Sequence, residues 1–285
     1  MAQRSVPLKR SVTLPILTLF GLGNVLGAGI YVLIGKVAGV AGQAAPLSFI
    51  IAACIAGLTA ASYMELSHRY PVSAGASAYV HEGFRFKPLA QIVGILILLS
   101  AIFSSATLAI GFAGYTQSFV NLPTPFLVIL LFLGLGAIAA YGIKESSRAA
   151  AFITILEILG LAMIIWAGRG ILADATSYQA AFSLNVPATA VLGGAFLAFY
   201  AFIGFEDIVN VAEESRAAAT IMPKAIIIAL ISATVLYMLV VIVATHAIPI
   251  DTLAQSKTPL ADIFTGITKT PATLISVIGI MSALN

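Results

Sequence analysis

Long apolar stretches alternate along the chain with short connections that are rich in Pro, Gly and basic residues. Most of these stretches approach the about 20 apolar residues that an α-helix needs to cross the hydrocarbon core of a bilayer. The pattern therefore predicts eight membrane-spanning helices. We number them spans 1 to 8 in chain order: Leu14–Ala38, Pro46–Leu66, Leu89–Tyr115, Phe126–Gly142, Ala149–Trp166, Thr189–Val211, Ala225–His246 and Pro271–Asn285.

Composition points to the same environment for the whole chain. Of 285 residues, 60% are hydrophobic and only 9% are charged, and the mean hydropathy is +1.07. Soluble domains carry about 25% charged residues. A membrane β-barrel would show short segments of alternating hydrophobicity rather than long apolar runs. We therefore expect an all-α polytopic protein embedded in a lipid bilayer, without a nucleic-acid partner.

Span 1 contains four glycines within nine positions, at Gly21, Gly23, Gly27 and Gly29. Each costs about 1 kcal/mol relative to Ala inside a helix, so their concentration needs a reason. One explanation is a helix broken at mid-depth, whose unpaired backbone groups line a ligand cavity, as in secondary transporters. The other is close helix packing, which small residues also permit. Span 1 alone leaves both explanations open.

Span 6 changes character at Gly204, where an apolar run gives way to acidic residues. A break here would place these acids at the positive N-terminal end of a new helix. In an α-helix, Glu206, Asn210 and Glu213 would share one face, because they are spaced at i, i+4 and i+7. Alternatively, the acids mark the end of a continuous span. Two broken spans of opposite direction favour an inverted-repeat transporter.

The basic residues predict the orientation of the chain. Ten of the 14 Lys and Arg residues fall on one side of the predicted spans: Arg4, Lys9, Arg10, Arg69, Arg85, Lys87, Lys144, Arg148, Arg216 and Lys224. The other four fall on the opposite side: Lys36, Arg169, Lys257 and Lys269. Because basic loops stay on the cytoplasmic side, the N-terminus is predicted to be cytoplasmic. We expect a prokaryotic plasma (inner) membrane.

Four stretches resemble the amino acid–polyamine–organocation transporters. Gly23–Ile30 is similar to their span-1 signature, and Tyr63–Leu66 with Tyr70–Tyr79 is similar to the loop between spans 2 and 3. Gly142–Ser146 resembles their loop between spans 4 and 5, and Ala201–Glu206 resembles their span-6 signature. The stretches occur in the order found in that superfamily. They do not indicate a particular substrate.

The resemblance implies a core of two inverted five-helix repeats with helices 1 and 6 broken. Residues 14–168, which contain spans 1 to 5, would form the first repeat. Residues 189–285, with spans 6 to 8, would form part of the second. We therefore expect the chain to lack the last helices of the core and not to transport by itself.

The predicted function is secondary active transport of amino acids by alternating access. An alternative is a polyamine or cationic amino acid exchanger, in which Glu206 faces the ligand ammonium. A transporter-like sensor or a channel would be a third class, but the sequence shows neither a soluble output domain nor continuous polar stripes. It also lacks a Walker A motif, a metal-ligand cluster and a Ser/His/Asp set. We expect no enzyme activity, no cofactor and no metal.

An amino acid bound at mid-membrane needs partners for both of its charges. The amides freed after the span-1 break can hold its carboxylate, at Ala28, Gly29 and Ile30. The carbonyls that end the first half of span 6, around Tyr200 to Ile203, can accept from its ammonium. The residues assigned to the site here are Tyr200, Phe202, Ile203 and Gly204. Glycine at positions 27 and 29 lets the ligand approach the backbone closely.

Side chains complete the predicted site. The resemblance places Asn24 and Tyr200 beside the substrate, and Tyr200 departs from the Trp or Phe that many relatives carry there. Ser104 and Ser105 in span 3 could contribute hydroxyls, and Ser105 is the one assigned to the site, although small residues there also suit helix packing.

Two acids are candidates for gating or for proton coupling. Glu157 lies near the centre of span 5, and carboxyls inside membranes are functional candidates. Some family members carry a Lys near this place, so a Lys-based mechanism does not transfer to this chain. Glu157 is predicted to exchange a proton during the cycle, whereas the rival role is a neutral structural donor. Glu206 is predicted to act as a gate. The coupling ion is predicted to be a proton, with sodium as the alternative, and the sequence indicates no oligomeric state.

Overall fold

The structure is a computed structural model that describes residues 11–73, 75–141, 146–182 and 186–284. Within these ranges the chain is predominantly α-helical. The helices are α1 (Leu14–Ala41), α2 (Ala45–Arg69), α3 (Gly75–Phe84), α4 (Lys87–Thr116), α5 (Thr124–Tyr141), α6 (Ser146–Ala167), α7 (Arg169–Ala173), α8 (Ala175–Ala181), α9 (Ala188–Tyr200), α10 (Ala218–Ala247), α11 (Ile250–Gln255), α12 (Pro259–Thr268) and α13 (Thr273–Ser282). Two 3-10 helices are described, at Gly42–Ala44 and Phe205–Glu214.

Five helical stretches are long and apolar enough to cross a membrane: Leu14–Arg69, Lys87–Thr116, Ala150–Ala167, Ala188–Glu214 and Ala218–Ala247. The first of them contains two spans, α1 and α2, joined by a 3-10 turn. Two shorter apolar helices, in α5 and α13, correspond to predicted spans 4 and 8. The prediction of an all-α polytopic membrane protein is confirmed.

Both predicted breaks are present. Helix α1 leaves helical geometry at Gly27, where φ is −19° and ψ is −158°, and is helical again beyond it. Span 6 consists of α9, a turn over Ala201–Gly204 and the 3-10 helix Phe205–Glu214. Gly204 has a φ of +122°, which favours glycine.

The acidic half of span 6 differs from the predicted α-helix. Because a 3-10 helix has three residues per turn, its faces repeat at i and i+3. The side chain amide of Asn210 accordingly donates to Asp207 Oδ1 at 3.0 Å. The expected common face of Glu206, Asn210 and Glu213 is therefore wrong.

The core forms where α1, α2, span 6 and α10 pack together. Three rings meet edge to face at its centre, one from each of α2, span 6 and α10. They are Phe49, Phe202 and Tyr237, with ring centroids 5.2 to 6.3 Å apart. Such contacts between buried aromatic rings hold the rings in defined positions.

The second half of α1 is covered by α11. Lys36 Nζ donates to the carbonyl oxygen of Ala254 at 2.7 Å. A Cβ atom built on Gly39 would lie 2.7 Å from that of Ala254, and one on Gly35 would collide with the carbonyl of Leu253. Small residues on this face of α1 thus allow α11 to lie directly against it.

The opposite end of α1 pairs with the end of span 6. Val12 and Ser215 form an isolated parallel β-bridge. The amides of Ser11 and Val12 donate to the carbonyl of Glu214 at 3.0 and 3.1 Å, and the amide of Arg216 donates to Val12 at 3.0 Å. The two broken spans are therefore joined through their backbones at this end.

Some predictions concern residues outside the described ranges. Among the basic residues used for orientation, these are Arg4, Lys9, Arg10 and Lys144. Most of the motif at Gly142–Ser146 also falls there. The orientation and the division into repeats at 14–168 and 189–285 stay predictions.

Candidate functional site

The two breaks lie against each other. A Cβ atom built on Gly29 would lie 2.9 Å from the Cα atom of Ala201. One built on Gly204 would lie 2.6 Å from the carbonyl oxygen of Asn24. Side chains at these two positions would overlap with backbone, so glycine is needed for the close approach.

A cavity of about 170 Å³ lies at this junction, and we call it the break cavity. This is several times the about 30 Å³ that one water molecule occupies in the liquid. Its wall combines the backbone of both breaks with side chains of α4 and α13: Asn24, Val25, Gly27, Gly29, Ser104, Leu108, Tyr200, Ile203, Gly204, Asp207 and Ser282.

A larger cavity of about 450 Å³ adjoins the break cavity, and we call it the vestibule. It lies between α3, α4 and the 3-10 helix of span 6, and its polar lining includes Tyr63, Ser77, Ser105, Glu206 and Asn210. The two cavities share four lining residues: Ser104, Leu108, Ile203 and Asp207. These four residues therefore form the border between the two cavities.

Glu206 stabilises the backbone of its own break. One of its carboxylate oxygens accepts the amide hydrogen of Gly204 at 2.9 Å. A buried amide left without an acceptor costs about 1 to 3 kcal/mol, so this contact supports the turn. Glu206 lines the vestibule, whereas its neighbour Asp207 lines both cavities.

Tyr237 of α10 contacts both breaks with one hydroxyl group. Its Oη lies 2.5 Å from the carbonyl oxygen of Val25 and 2.9 Å from that of Ala201. The side chain is fully buried. Sequence reasoning missed this residue, although a Tyr inside an apolar span carries a hydroxyl that needs a partner.

Six of the predicted site residues surround the break cavity: Asn24, Gly27, Gly29, Tyr200, Ile203 and Gly204. The Oη of Tyr200 donates to the carbonyl of Ser104 in α4 at 3.3 Å. The side chain of Ala28 lies outside the described part. The hydroxyl of Ser104, considered together with that of Ser105, also lines this cavity. Four lining residues were not predicted: Val25, Leu108, Asp207 and Ser282.

Other predicted residues lie elsewhere. Ile30 and Phe202 are buried in the core and line neither cavity. Ser105 lines the vestibule only, and its hydroxyl donates to Ala101 of the same helix at 2.9 Å. The helical phase explains this difference, since Ser104 and Ser105 lie about 100° apart around α4.

Glu157 is fully buried in α6 and lines neither cavity. A chain of tyrosines connects its backbone with the second half of α1. Tyr31 Oη donates to the carbonyl of Glu157 at 2.8 Å, and Tyr115 Oη donates to the carbonyl of Tyr31 at 2.8 Å. Within the described ranges, no three His, Cys, Asp or Glu side chains group as metal ligands.

Comparison with known proteins gives the family. A model of the amino acid permease family matches residues 13–285. A branched-chain amino acid permease of Bacillus subtilis, BcaP, is 30% identical over 89% of this chain and 58% of its own. A vacuolar cationic amino acid transporter of Arabidopsis thaliana, number 4, is 32% identical over 87% of this chain and 45% of its own.

A methylthioribose transporter of Bacillus subtilis is 30% identical over 86% of this chain and 57% of its own. The chain thus spans about half the length of the curated relatives it matches. The family match covers both breaks and almost all of the described residues. The chain therefore belongs to the amino acid permease family, within the amino acid–polyamine–organocation superfamily.

Proposed function

We propose that this protein is a secondary active transporter that moves amino acids across a membrane by alternating access. The observation that carries the proposal is the meeting of two broken helices at the break cavity. Backbone left unpaired at membrane depth is tolerated where it lines a cavity. Relatives named as amino acid permeases and transporters support the same function.

The break cavity offers partners for both charges of an amino acid. Beyond Gly27, the amides of α1 point back toward the break, where a helix N-terminus favours a carboxylate. At the end of α9, backbone carbonyls can accept from the ammonium group. The carbonyl of Ala201 already accepts from Tyr237, so the ammonium must share it or use its neighbours.

The test uses the protein as its gene encodes it, reconstituted in proteoliposomes. Uptake and equilibrium binding of labelled leucine and lysine are measured. Gly29→Leu should abolish both, because its side chain would overlap with the backbone of Ala201. Gly57→Leu is the matched control, since a Cβ there meets no atom of the described residues within 4 Å. Binding retained by Gly29→Leu would mean that the glycine serves packing alone.

We further propose that transport is coupled to protons through Glu157, with sodium as the rival coupling ion. The support is a carboxyl fully buried within a candidate span. Glu157→Gln keeps the shape and removes the titrating group. We expect this variant to bind and exchange substrate without concentrating it under a proton gradient. Accumulation at wild-type levels would assign Glu157 a structural role.

Asp207 favours a second candidate function, exchange of cationic amino acids or polyamines. It lines both cavities, and the contact from Asn210 fixes one of its oxygens. Asp207→Asn should weaken the binding of lysine and putrescine but not of leucine. Asp251→Asn is the control, because Asp251 is an exposed acid in α11. Equal affinities for lysine in the wild type and Asp207→Asn would exclude this role.

The protein is proposed to lie in a prokaryotic inner membrane with its N-terminus in the cytoplasm. The support is the predicted asymmetry of Lys and Arg residues. An impermeant thiol reagent applied to intact cells should label a cysteine introduced at Ala175 but not one at Glu82. The reverse pattern would invert the orientation.

A further inference from the structure

We infer that Tyr237 is a positioning residue that holds the two breaks in register, so that their backbone groups act on one ligand. The ligand's identity rests on the proposed function, whereas the geometric role does not. Tyr237 comes from α10, a third helix, and so belongs to neither break.

The contact geometry supports this role. The hydroxyl oxygen lies 2.5 Å from the carbonyl of Val25 and 2.9 Å from the carbonyl of Ala201. The phenol hydroxyl has one hydrogen, which is donated to one carbonyl at a time or is shared between the two. Without this hydrogen, the carbonyl oxygens of Val25 and Ala201 would both lose the hydroxyl donor that lies between them.

The ring of Tyr237 is itself held in place. Its centroid lies 5.2 Å from that of Phe202 and 5.9 Å from that of Phe49, in edge-to-face contacts. All three side chains are fully buried. The hydroxyl therefore stays at one point between the breaks, because a rotation of the side chain would disturb this packing.

The glycine contacts and the tyrosine contact have opposite effects. The close approaches at Gly29 and Gly204 set how near the two breaks can come. They restrain the breaks only by repulsion at short distance. The hydrogen bonds of Tyr237 resist separation. Together they fix the spacing across which a zwitterion would be bound.

Hydrogen–deuterium exchange of the purified native protein tests the geometric role without any ligand. Tyr237→Phe should raise amide exchange at both breaks, in residues 24–30 and 201–206, by about tenfold, as expected for one lost buried hydrogen bond. The control is Tyr115→Phe, which removes another fully buried tyrosine-to-carbonyl contact, onto Tyr31. Exchange at the breaks should change less than about twofold in this control.

Three results of this experiment would overturn the inference: a rise at one break only, no rise at either, or equal rises in both variants. If Tyr237→Phe does not fold, fluorinated tyrosine at position 237 keeps the side chain shape and strengthens the hydroxyl as a donor. Slower exchange at both breaks is then expected, and unchanged exchange contradicts the proposal.

Ligand binding provides the second readout. Tyr237→Phe should lower the affinity for leucine and for lysine by about the same factor, tenfold for one lost buried contact, because both would share the backbone partners. Tyr115→Phe should keep the wild-type affinities for leucine and lysine, even if its unfolding temperature falls as much as that of Tyr237→Phe. Affinities of Tyr237→Phe equal to those of the wild type would contradict the positioning role. A wild-type protein that binds neither amino acid would contradict the proposed function, and the exchange result would still decide the role of Tyr237.

Discussion

The two breaks face the same cavity but are built differently. The break in α1 occupies one residue, Gly27, and α-helix lies on both sides of it. The break in span 6 occupies a four-residue turn, Ala201–Gly204, and the chain continues as a 3-10 helix. The first break contains no charged side chain, whereas the second has its own carboxylate partner in Glu206.

The difference shows that interrupting a helix and allowing the other span to approach closely are separate roles of glycine. Among the residues that the structure describes, a Cβ on Gly27 would have one neighbour within 4 Å, the carbonyl oxygen of Ser282 at 3.8 Å. In α1 the interruption falls at Gly27, while Gly29 permits the close contact with span 6. In span 6 one residue, Gly204, has both the unusual φ and the crowded position.

The largest effect is expected from Gly204→Ala. A methyl group would overlap with the backbone of Asn24, which costs about 1 to 3 kcal/mol as overpacking. The φ of +122° adds a further cost of about 1 to 3 kcal/mol for a residue with a side chain. The unfolding temperature and the affinity for leucine should both fall strongly. An unfolding temperature equal to that of the wild type would show that the turn rearranges without a loss of stability.

Glu206→Ala should have the next largest effect. It leaves the amide of Gly204 without its acceptor, at a cost of about 1 to 3 kcal/mol. Glu206→Gln keeps an acceptor oxygen and removes the charge, so its stability should stay near that of the wild type. We propose that Glu206 acts as a gate, and expect Glu206→Gln to change the rate or pH profile of transport more than affinity. A large loss of affinity at unchanged pH dependence would place Glu206 in the binding site.

Asp174→Asn serves as the control for Glu206→Gln outside the spans. The Asp174 carboxylate accepts the amide hydrogen of Thr176 at 2.9 Å. This contact holds the pKa of Asp174 below its usual range. Its small contribution to stability is present above the unfolded pKa and is lost as the pH falls through the folded pKa. Asp174→Asn should reduce the loss of stability at low pH, measured by unfolding at several pH values. It should leave the transport rate unchanged. A changed transport rate would mean that the Glu206 result is not specific to the break.

The smallest effect is expected from Gly27→Ala, because the position is uncrowded. Its cost to stability should stay below the overpacking cost of about 1 to 3 kcal/mol expected at Gly204. Unfolding measured side by side for both variants checks this order. Equal costs would mean that backbone conformation, rather than space, makes glycine necessary at both breaks.

The sequence predicted features that depend on neighbouring residues in the chain. Apolar length identified the spans, and the glycines of span 1 together with the acids after Gly204 indicated the breaks. The 3-10 geometry of residues 205–214 was missed, because α and 3-10 helices of ten residues share most composition signals.

Features that depend on how the spans are arranged could not be predicted. Tyr237 follows Gly27 by more than 200 residues, and its hydroxyl gives no hint of which carbonyl it will meet. Ser282 reaches the cavity only because α13 packs beside α4 and α6. Ile30 follows the α1 break and Phe202 lies within the span-6 break, but both side chains are buried in the core.

The pairing of Val12 with Ser215 has a mechanical consequence. The broken spans touch there, at Gly21 against Ile208, at Asn24 against Gly204 and at Gly29 against Ala201. Two helices in contact at a single point can rotate about that point. Two helices in contact at several points along their length move as one rigid body and do not separate. The first half of α1 and the 3-10 helix of span 6 should therefore move together.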